Sequence, residues 1–172
     1  MSATDILLED HRQIRRLGRI IQACHTQMSR GQDIPIQDMY TITRIIDGFL
    51  DAIHYSREED AYFACVASYG TLDAQIRNLT IEHEFSRRIS GGITRGLQGG
   101  GREQVVRYMR TYCIYLEDHM RKEEEFLKEA RSLLDVREER HMYERFAMDA
   151  AVKLHGFLDD MERLEGRGWC NV

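Results

Sequence analysis

The segment HMRKEEEFL, residues 119 to 127, places two side chains of the kind that bind metal ions on the apolar face of a predicted helix. The apolar residues before it follow one another at steps of four, three and four, which is the spacing of one buried helix face: Val105, Met109, Tyr112 and Leu116. The next positions on that face are His119 and Glu123. Because an imidazole and a carboxylate are costly to bury without partners, the pattern indicates either a metal site or a buried ion pair.

Three other predicted helices also place a histidine on their apolar face. On the second helix, Ile46 and Leu50 are followed at four-residue steps by His54 and Glu58. The first and third helices each contribute a single histidine. The candidate metal ligands are therefore His11, His54, Glu58, His83, His119 and Glu123.

A histidine and a glutamate four residues apart, as in H-x-x-x-E, lie on one face of a helix and about 6 Å apart along its axis. The imidazole can then bind one metal ion while the carboxylate reaches a second. Four imidazoles and two carboxylates suit iron or manganese, with zinc as a competitor. The pattern predicts a site for two metal ions, and the alternative is a buried network of histidine–glutamate ion pairs.

An internal repeat relates the two halves of this pattern. The sequence DHRQIRRL at 10–17 matches EHEFSRRI at 82–89, and HYSREEDAYF at 54–63 matches HMRKEEEFL at 119–127. Each half of the repeat reads as a helical hairpin that contributes one lone histidine and one H-x-x-x-E pair.

The spacing of the apolar residues and the positions of the turn-forming residues predict five helices. The expected fold is all-α, an up-down-up-down four-helix bundle with an additional C-terminal helix. Residues 1–134 form the predicted bundle, and residues 135–172 form a helix with a short tail that packs on the bundle or makes a homodimer interface. Antiparallel neighbours would bring the four histidines to a similar depth along the bundle.

The predicted helices run from about Thr4, as a cap, to Ser29; from Ile36 to Tyr69 or Gly70; from a cap at Thr71 to the glycines of LQGGG; from Glu103 to Leu134; and from a cap at Asp135 to Gly166 or Gly168.

Composition and net charge indicate which classes of binding partner and which cellular location to expect. Hydrophobic residues make up 42% and charged residues 31% of the chain, as in ordinary globular proteins. The net charge of −5 and the lack of a basic block predict no nucleic-acid or membrane partner. No apolar run is long enough for a bilayer-spanning helix, and the acidic N-terminus does not resemble a signal peptide, so we expect a cytoplasmic protein. The four cysteines are scattered and form no C-x-x-C motif.

Several neighbouring residues are weaker candidates. Glu59 and Glu124 follow the proposed bridging glutamates and are alternative ligands, although each points about 100° around the helix. Asp10 and Glu82 precede the lone histidines, and we interpret them as a solvated helix face in preference to partners that orient the imidazoles.

The remaining tyrosines and histidines fit structural roles better. Of the tyrosines, Tyr112 is the best candidate for a position near the metals, but packing in the core is the preferred interpretation. His25 lies roughly 20 Å along the helix from His11, too far to join the site. His141 and His155 have no glutamate four residues later and are interpreted as structural or surface residues.

The order H, H-x-x-x-E, H, H-x-x-x-E on four helices resembles the hemerythrin-like HHE cation-binding domain family over roughly residues 5 to 134. The phrases LLEDHRQIRRL and HMRKEEEFL carry much of this resemblance. It implies a non-haem di-iron centre, oxo- or hydroxo-bridged, with manganese or zinc as substitutes. The implied ligands are His11, His54, Glu58, His83, His119 and Glu123, with the two glutamates bridging the metals.

The sequence departs from the oxygen-carrying hemerythrins at two points. Those proteins have a second histidine four residues after the one in the third helix, where this chain has Arg87. They also use H-x-x-x-x-D on the fourth helix, where this chain has Glu123 and Glu124. The missing histidine implies more open coordination, which suits reaction with an oxidant better than reversible oxygen carriage.

We therefore expect a di-iron protein that binds or reacts with a small diatomic or peroxide ligand: oxygen, hydrogen peroxide or nitric oxide. The alternatives are an iron-handling or iron-centre repair protein, and a sensor of oxygen, nitric oxide or iron that acts through a protein partner. The sequence leaves open whether the chain is an enzyme, such as a peroxide-degrading or oxidase-like one.

Overall fold

The computed structural model describes residues 1–170, apart from the side chains of residues 100 and 149–153. Every regular element in the described part of the chain is helical, which confirms the all-α prediction. Successive helices are joined by connections of one to six residues, so neighbours along the chain run antiparallel. The helices are α1, Ala3–Ser29; α2, residues 36–67; α3, Asp73–Arg95, extended by a π-turn over Gly96–Gly100; α4, Arg102–Leu133; and α5, Val136–Glu165.

Two of the helices begin with capping boxes. Ser2 caps α1 together with Asp5, so the predicted cap at Thr4 is wrong by two residues. Asp135 caps α5, as predicted. Thr71 does not cap α3, which begins two residues later without a side-chain cap.

Helix α2 contains two π-helical segments around the candidate ligands, Ile46–Tyr55 and Glu58–Tyr62. A strict four-residue spacing would drift around an α-helix, which has about 3.6 residues per turn. Because a π-turn holds more residues than an α-turn, alternating the two keeps His54 and Glu58 on the same buried face as the apolar residues at four-residue steps before and after them. π-turns inside α-helices often occur at functional sites.

Helices α1 to α4 form the bundle and pack in a closed cycle, α1 against α2, α2 against α3, α3 against α4, and α4 against α1. The apolar core is divided into two clusters. On α1, Leu7 belongs to one cluster and Ile14 to the other, and on α4 the same is true of Phe126 and Leu116. The candidate ligands lie on each helix between these levels, so a polar layer separates the two halves of the core.

Helix α5 lies along α1 and α2. Its Phe146 enters one core cluster and its Met161 the other. Beyond α5, the indole Nε1 of Trp169 donates a hydrogen bond of 3.0 Å to the buried Asp38. The division of the chain at residue 134 and the homodimer interface stay predictions, and residues 171–172 of the predicted tail lie outside the described residues.

None of the helices described for residues 1–170 combines the length and the apolar character that a membrane crossing requires.

Candidate metal centre

The six candidate ligands meet in the polar layer at the middle of the bundle. Helix α1 contributes one histidine, α3 another, and α2 and α4 each contribute a histidine and a glutamate. All six side chains are buried, with at most 1% of their surface exposed. The structure therefore brings together His11, His54, Glu58, His83, His119 and Glu123.

The inward-facing atoms form two overlapping donor groups. In the first donor group, atoms of His11, His54, Glu58 and Glu123 all lie within 4.8 Å of one another. In the second donor group, the same holds for His83, His119 and Glu123. Glu123 belongs to both groups.

The shortest contacts in this layer run between imidazole Nε2 atoms and carboxylate oxygens. Glu123 Oε2 lies 3.1 Å from Nε2 of His11 and 3.4 Å from Nε2 of His119. Glu58 Oε2 lies 3.6 Å from Nε2 of His54 and 3.4 Å from Nε2 of His83. Each glutamate thus lies between histidines of both donor groups, which is the placement that a bridging carboxylate needs.

The polar atoms at the centre of this layer have no hydrogen-bond partners. These atoms are Nε2 of His11, His54, His83 and His119, and both carboxylate oxygens of Glu58 and Glu123. Buried polar atoms are rarely left in this condition, because each costs free energy unless it is paired. Eight such atoms that face one another in two overlapping donor groups fit a pair of metal ions bound by nitrogen and oxygen.

The other ring nitrogen of every histidine in the layer contacts a carboxylate. Nδ1 lies 3.4 Å from Glu124 in His11, 3.4 Å from Asp10 in His54, 2.7 Å from Glu59 in His83, and 2.8 Å from Glu82 in His119. Because an ionised carboxylate can only accept, Nδ1–H donates in each case. The lone pair of the neutral imidazole is then on Nε2, which points to the centre, as in metal-binding histidines.

Each of the four carboxylates is also paired with a basic side chain. Arg57 donates to Asp10 at 2.6 Å and Lys122 donates to Glu82 at 2.6 Å. Glu124 accepts from Arg15 and Glu59 accepts from Arg87. The internal repeat relates Arg57 to Lys122 and Arg15 to Arg87, so the imidazole–carboxylate–cation chains of the two hairpins correspond.

The structure places one pair of neighbouring acids outside the centre and corrects the interpretation of the other pair. Glu59 and Glu124 hold imidazole Nδ1 atoms at the periphery, and they do not contribute to the central donor groups. Asp10 and Glu82 do not form a solvated face, because Asp10 is buried and both accept from an imidazole. Their positions directly before a histidine of each repeat were the available signal.

The aromatic neighbours of the site also differ from expectation. The ring of Tyr55 stacks on His83 at 3.7 Å between ring centres, and its hydroxyl lies 2.9 Å from that of Tyr115. Tyr115 stacks on His119 at 5.2 Å. The hydroxyl of Tyr112, the tyrosine selected from the sequence, lies 3.0 Å from Ser86 Oγ. The tyrosines that contact the site histidines are therefore Tyr55 and Tyr115.

The three remaining histidines lie apart from the centre. His25 contacts Ser29 on α1, with 3.3 Å between Nε2 and the hydroxyl oxygen. His141 and His155 are exposed on α5. None of the three belongs to a donor group among the described residues.

Burial and neighbouring charges shift the pKa values of His54 and Glu58. Burial alone would lower the pKa of His54, but its contacts with Asp10 and Glu123 and the negative charges of both raise the pKa to about 9. Burial raises the pKa of Glu58 well above its usual value, and the nearby charge of Glu123 raises it further. In the metal-free chain, the pKa of His54 therefore favours an imidazolium at pH 7, and the direction of the Glu58 shift favours its neutral carboxyl form.

Metal binding near pH 7 is expected to release protons, because His54, which is protonated at that pH, and Glu58, whose pKa is raised, bind metal only when deprotonated. For the same reason, affinity should fall as the pH is lowered. Calorimetric titration of zinc in buffers of different ionisation enthalpy measures the number released. A binding heat that does not depend on the buffer would contradict this expectation.

Comparison with known proteins agrees with the geometry. The chain matches the family model of the hemerythrin HHE cation binding domain over residues 2–130, which contain all six candidate ligands. The searches of curated proteins and of solved structures gave no match. The matched region begins before α1 and ends in the last turn of α4, so it includes nearly all of the bundle but not α5. The chain belongs to the hemerythrin HHE cation-binding domain family.

Proposed function

We propose that the protein holds two iron ions through His11, His54, Glu58, His83, His119 and Glu123, and that it binds or reacts with a small oxidant there. The observation that carries this proposal is the convergence of eight buried polar atoms without hydrogen-bond partners. Such a pair of ions would supply two-electron chemistry, or reversible binding, toward oxygen, hydrogen peroxide or nitric oxide.

The burial of the layer supports a small ligand. With at most 1% of any ligand side chain exposed, the bundle excludes substrates much larger than a diatomic molecule or a peroxide. A cavity of about 430 Å³ lies between α2 and α3, and Ser86 and Arg87 contribute to its lining. Arg87 also holds Glu59 against His83, so this cavity reaches the periphery of the second donor group.

The position of Arg87 supports reaction over simple carriage. Its Nε donates to Asp51 at 2.7 Å and its terminal nitrogens donate to Glu59 and Glu84, so the side chain is directed to the periphery. The third helix therefore supplies one inward imidazole, from His83. With four histidines and two glutamates as donors, coordination positions remain for an external ligand or water.

The same burial counts against an iron-delivery role. Release of iron to an acceptor would require the acceptor's ligands to reach atoms that the four helices enclose. A protein that delivers iron is expected to present its donors at the surface. We therefore favour chemistry at a resident centre over transfer of the metal.

Protein loaded anaerobically with iron is expected to change its near-ultraviolet absorption when hydrogen peroxide is added, and to consume the peroxide. The zinc-loaded protein is the matched control, since zinc occupies such donors but has no redox chemistry. A stable, reversible spectral change with oxygen or nitric oxide would instead assign carriage or sensing. Iron-loaded protein that responds to none of the three oxidants would contradict the proposal.

A further inference from the structure

Arg57 connects α5 to the candidate metal centre. One terminal nitrogen of its guanidinium donates to Oδ2 of Asp10 at 2.6 Å, and the other donates to the main-chain carbonyl of Phe146 at 3.2 Å. The guanidinium carbon also lies 5.6 Å from the centre of the Phe146 ring. Because Asp10 accepts from Nδ1 of His54, a continuous series of contacts runs from α5 to a candidate ligand.

The corresponding residue of the second hairpin is in a different environment. Lys122 stands three residues after His119, as Arg57 stands three residues after His54. Its ammonium group donates to Glu82 and pairs with Asp118, and 41% of its side chain is exposed. Only 9% of the Arg57 side chain is exposed.

This difference in burial makes the two cations unequal in effect. Water can replace an exposed ammonium beside a partly exposed carboxylate, so such a pair contributes little. Asp10 is buried, and removing its cation would leave a charge that water reaches poorly. The orientation of the His54 ring therefore depends on Arg57 more than the orientation of the His119 ring depends on Lys122.

We propose that Arg57 is a positioning residue through which α5 sets the metal affinity of the first donor group. This inference rests on the metal centre proposed above and adds a means of regulating it. Helix α5 lies beyond the region that the family model matches, and the carbonyl and the ring of its Phe146 both contact the Arg57 guanidinium. Since coupling between two sites is reciprocal, metal binding must in turn stabilise the packing of α5.

The first test is a zinc titration of the full-length chain in competition with a chromogenic chelator. In Arg57→Gln, one of the two zinc ions is expected to bind at least about 10-fold more weakly than in the unaltered chain. Lys122→Gln is the matched control and should change both affinities less than about 3-fold. Arg57→Lys restores the cation beside Asp10 and is expected to recover most of the lost affinity, which loss of packing alone would not predict.

The second test is amide hydrogen exchange in the α5 peptide 137–148, with and without zinc. Exchange should slow on zinc binding in the unaltered chain and in Lys122→Gln, and this effect should be lost in Arg57→Gln. If Arg57→Gln does not fold, the zinc dependence of α5 exchange in the unaltered chain and the zinc affinity of Arg57→Lys still test the inference. Equal effects of the Arg57 and Lys122 substitutions, or zinc binding that leaves α5 exchange unchanged, would overturn this inference alone. A chain that binds neither zinc nor iron would overturn the metal centre itself.

Discussion

Glu123→Ala is expected to abolish binding of both metal ions, whereas Glu58→Ala should remove one of them. Both glutamates lie between histidines of the two donor groups, but Glu123 belongs to both groups and lies 3.1 to 3.9 Å from Nε2 of all four histidines, whereas Glu58 belongs to one group and contacts two of them. Loss of an outer contact to a metal ligand typically costs about 10- to 100-fold in affinity, so loss of a shared ligand should cost more than about 100-fold. Metal content per chain after desalting, determined by mass spectrometry, measures the effect.

Glu125→Ala is the matched control for the Glu123 substitution. It removes the same carboxylate two positions along α4, where the side chain is 66% exposed and pairs with Arg121. Full metal content in this control, with circular dichroism that reports folded protein for all three variants, would assign the loss to the site. Two metal ions retained in Glu123→Ala would contradict the bridging role.

Metal loading is expected to stabilise the chain strongly. A ligand that binds only the folded state at 100 times its dissociation constant contributes about 2.7 kcal/mol, so two ions contribute about 5 kcal/mol. For a domain of this size the melting temperature should rise by roughly 10 to 20 °C. Differential scanning calorimetry of chelated and zinc-loaded protein measures the shift.

The stability measurement separates the two interpretations of the buried layer. If the histidines and glutamates formed a self-sufficient ion-pair network, zinc would change the melting temperature little. Glu123→Ala provides the control, since its melting temperature should depend much less on zinc. A shift of equal size in that variant would place the bound zinc elsewhere on the chain.

Periodicity and the internal repeat predict the helices because each helix buries one continuous stripe. His119 and Glu123 stand out since they continue a stripe of apolar residues, and a buried polar group needs a partner. The structure brings together the residues selected on that basis. That they bind metal stays a prediction which the experiments above test.

The residues around the site are harder to predict from sequence than the ligands, because their contacts depend on distances between helices. The sequence pattern favours a solvent-facing position for Asp10 and Glu82, yet they orient His54 and His119, which belong to other helices. Spacing along one helix says nothing of a neighbouring helix that supplies the partner. The same limit applies to Tyr55, whose ring contacts His83 across the bundle.

The π-helical segments of α2 have a signal in the sequence. The spacing from Ile46 to His54 and Glu58 is four residues at every step, with none of the three-residue steps that an α-helix needs to keep one face. A stripe this regular predicts extra residues per turn. Thr4 left no such signal, since its hydroxyl contacts Tyr62 of α2 and donates to Glu139 of α5, contacts that no local pattern predicts.

The most direct test of the metal centre is the metal content of protein produced with iron, paired with an absorption spectrum before and after addition of hydrogen peroxide. About two irons per chain are expected, with near-ultraviolet bands that respond to peroxide. Protein that folds equally well and holds no metal would contradict this expectation, and would identify the buried histidines and glutamates as an ion-pair network.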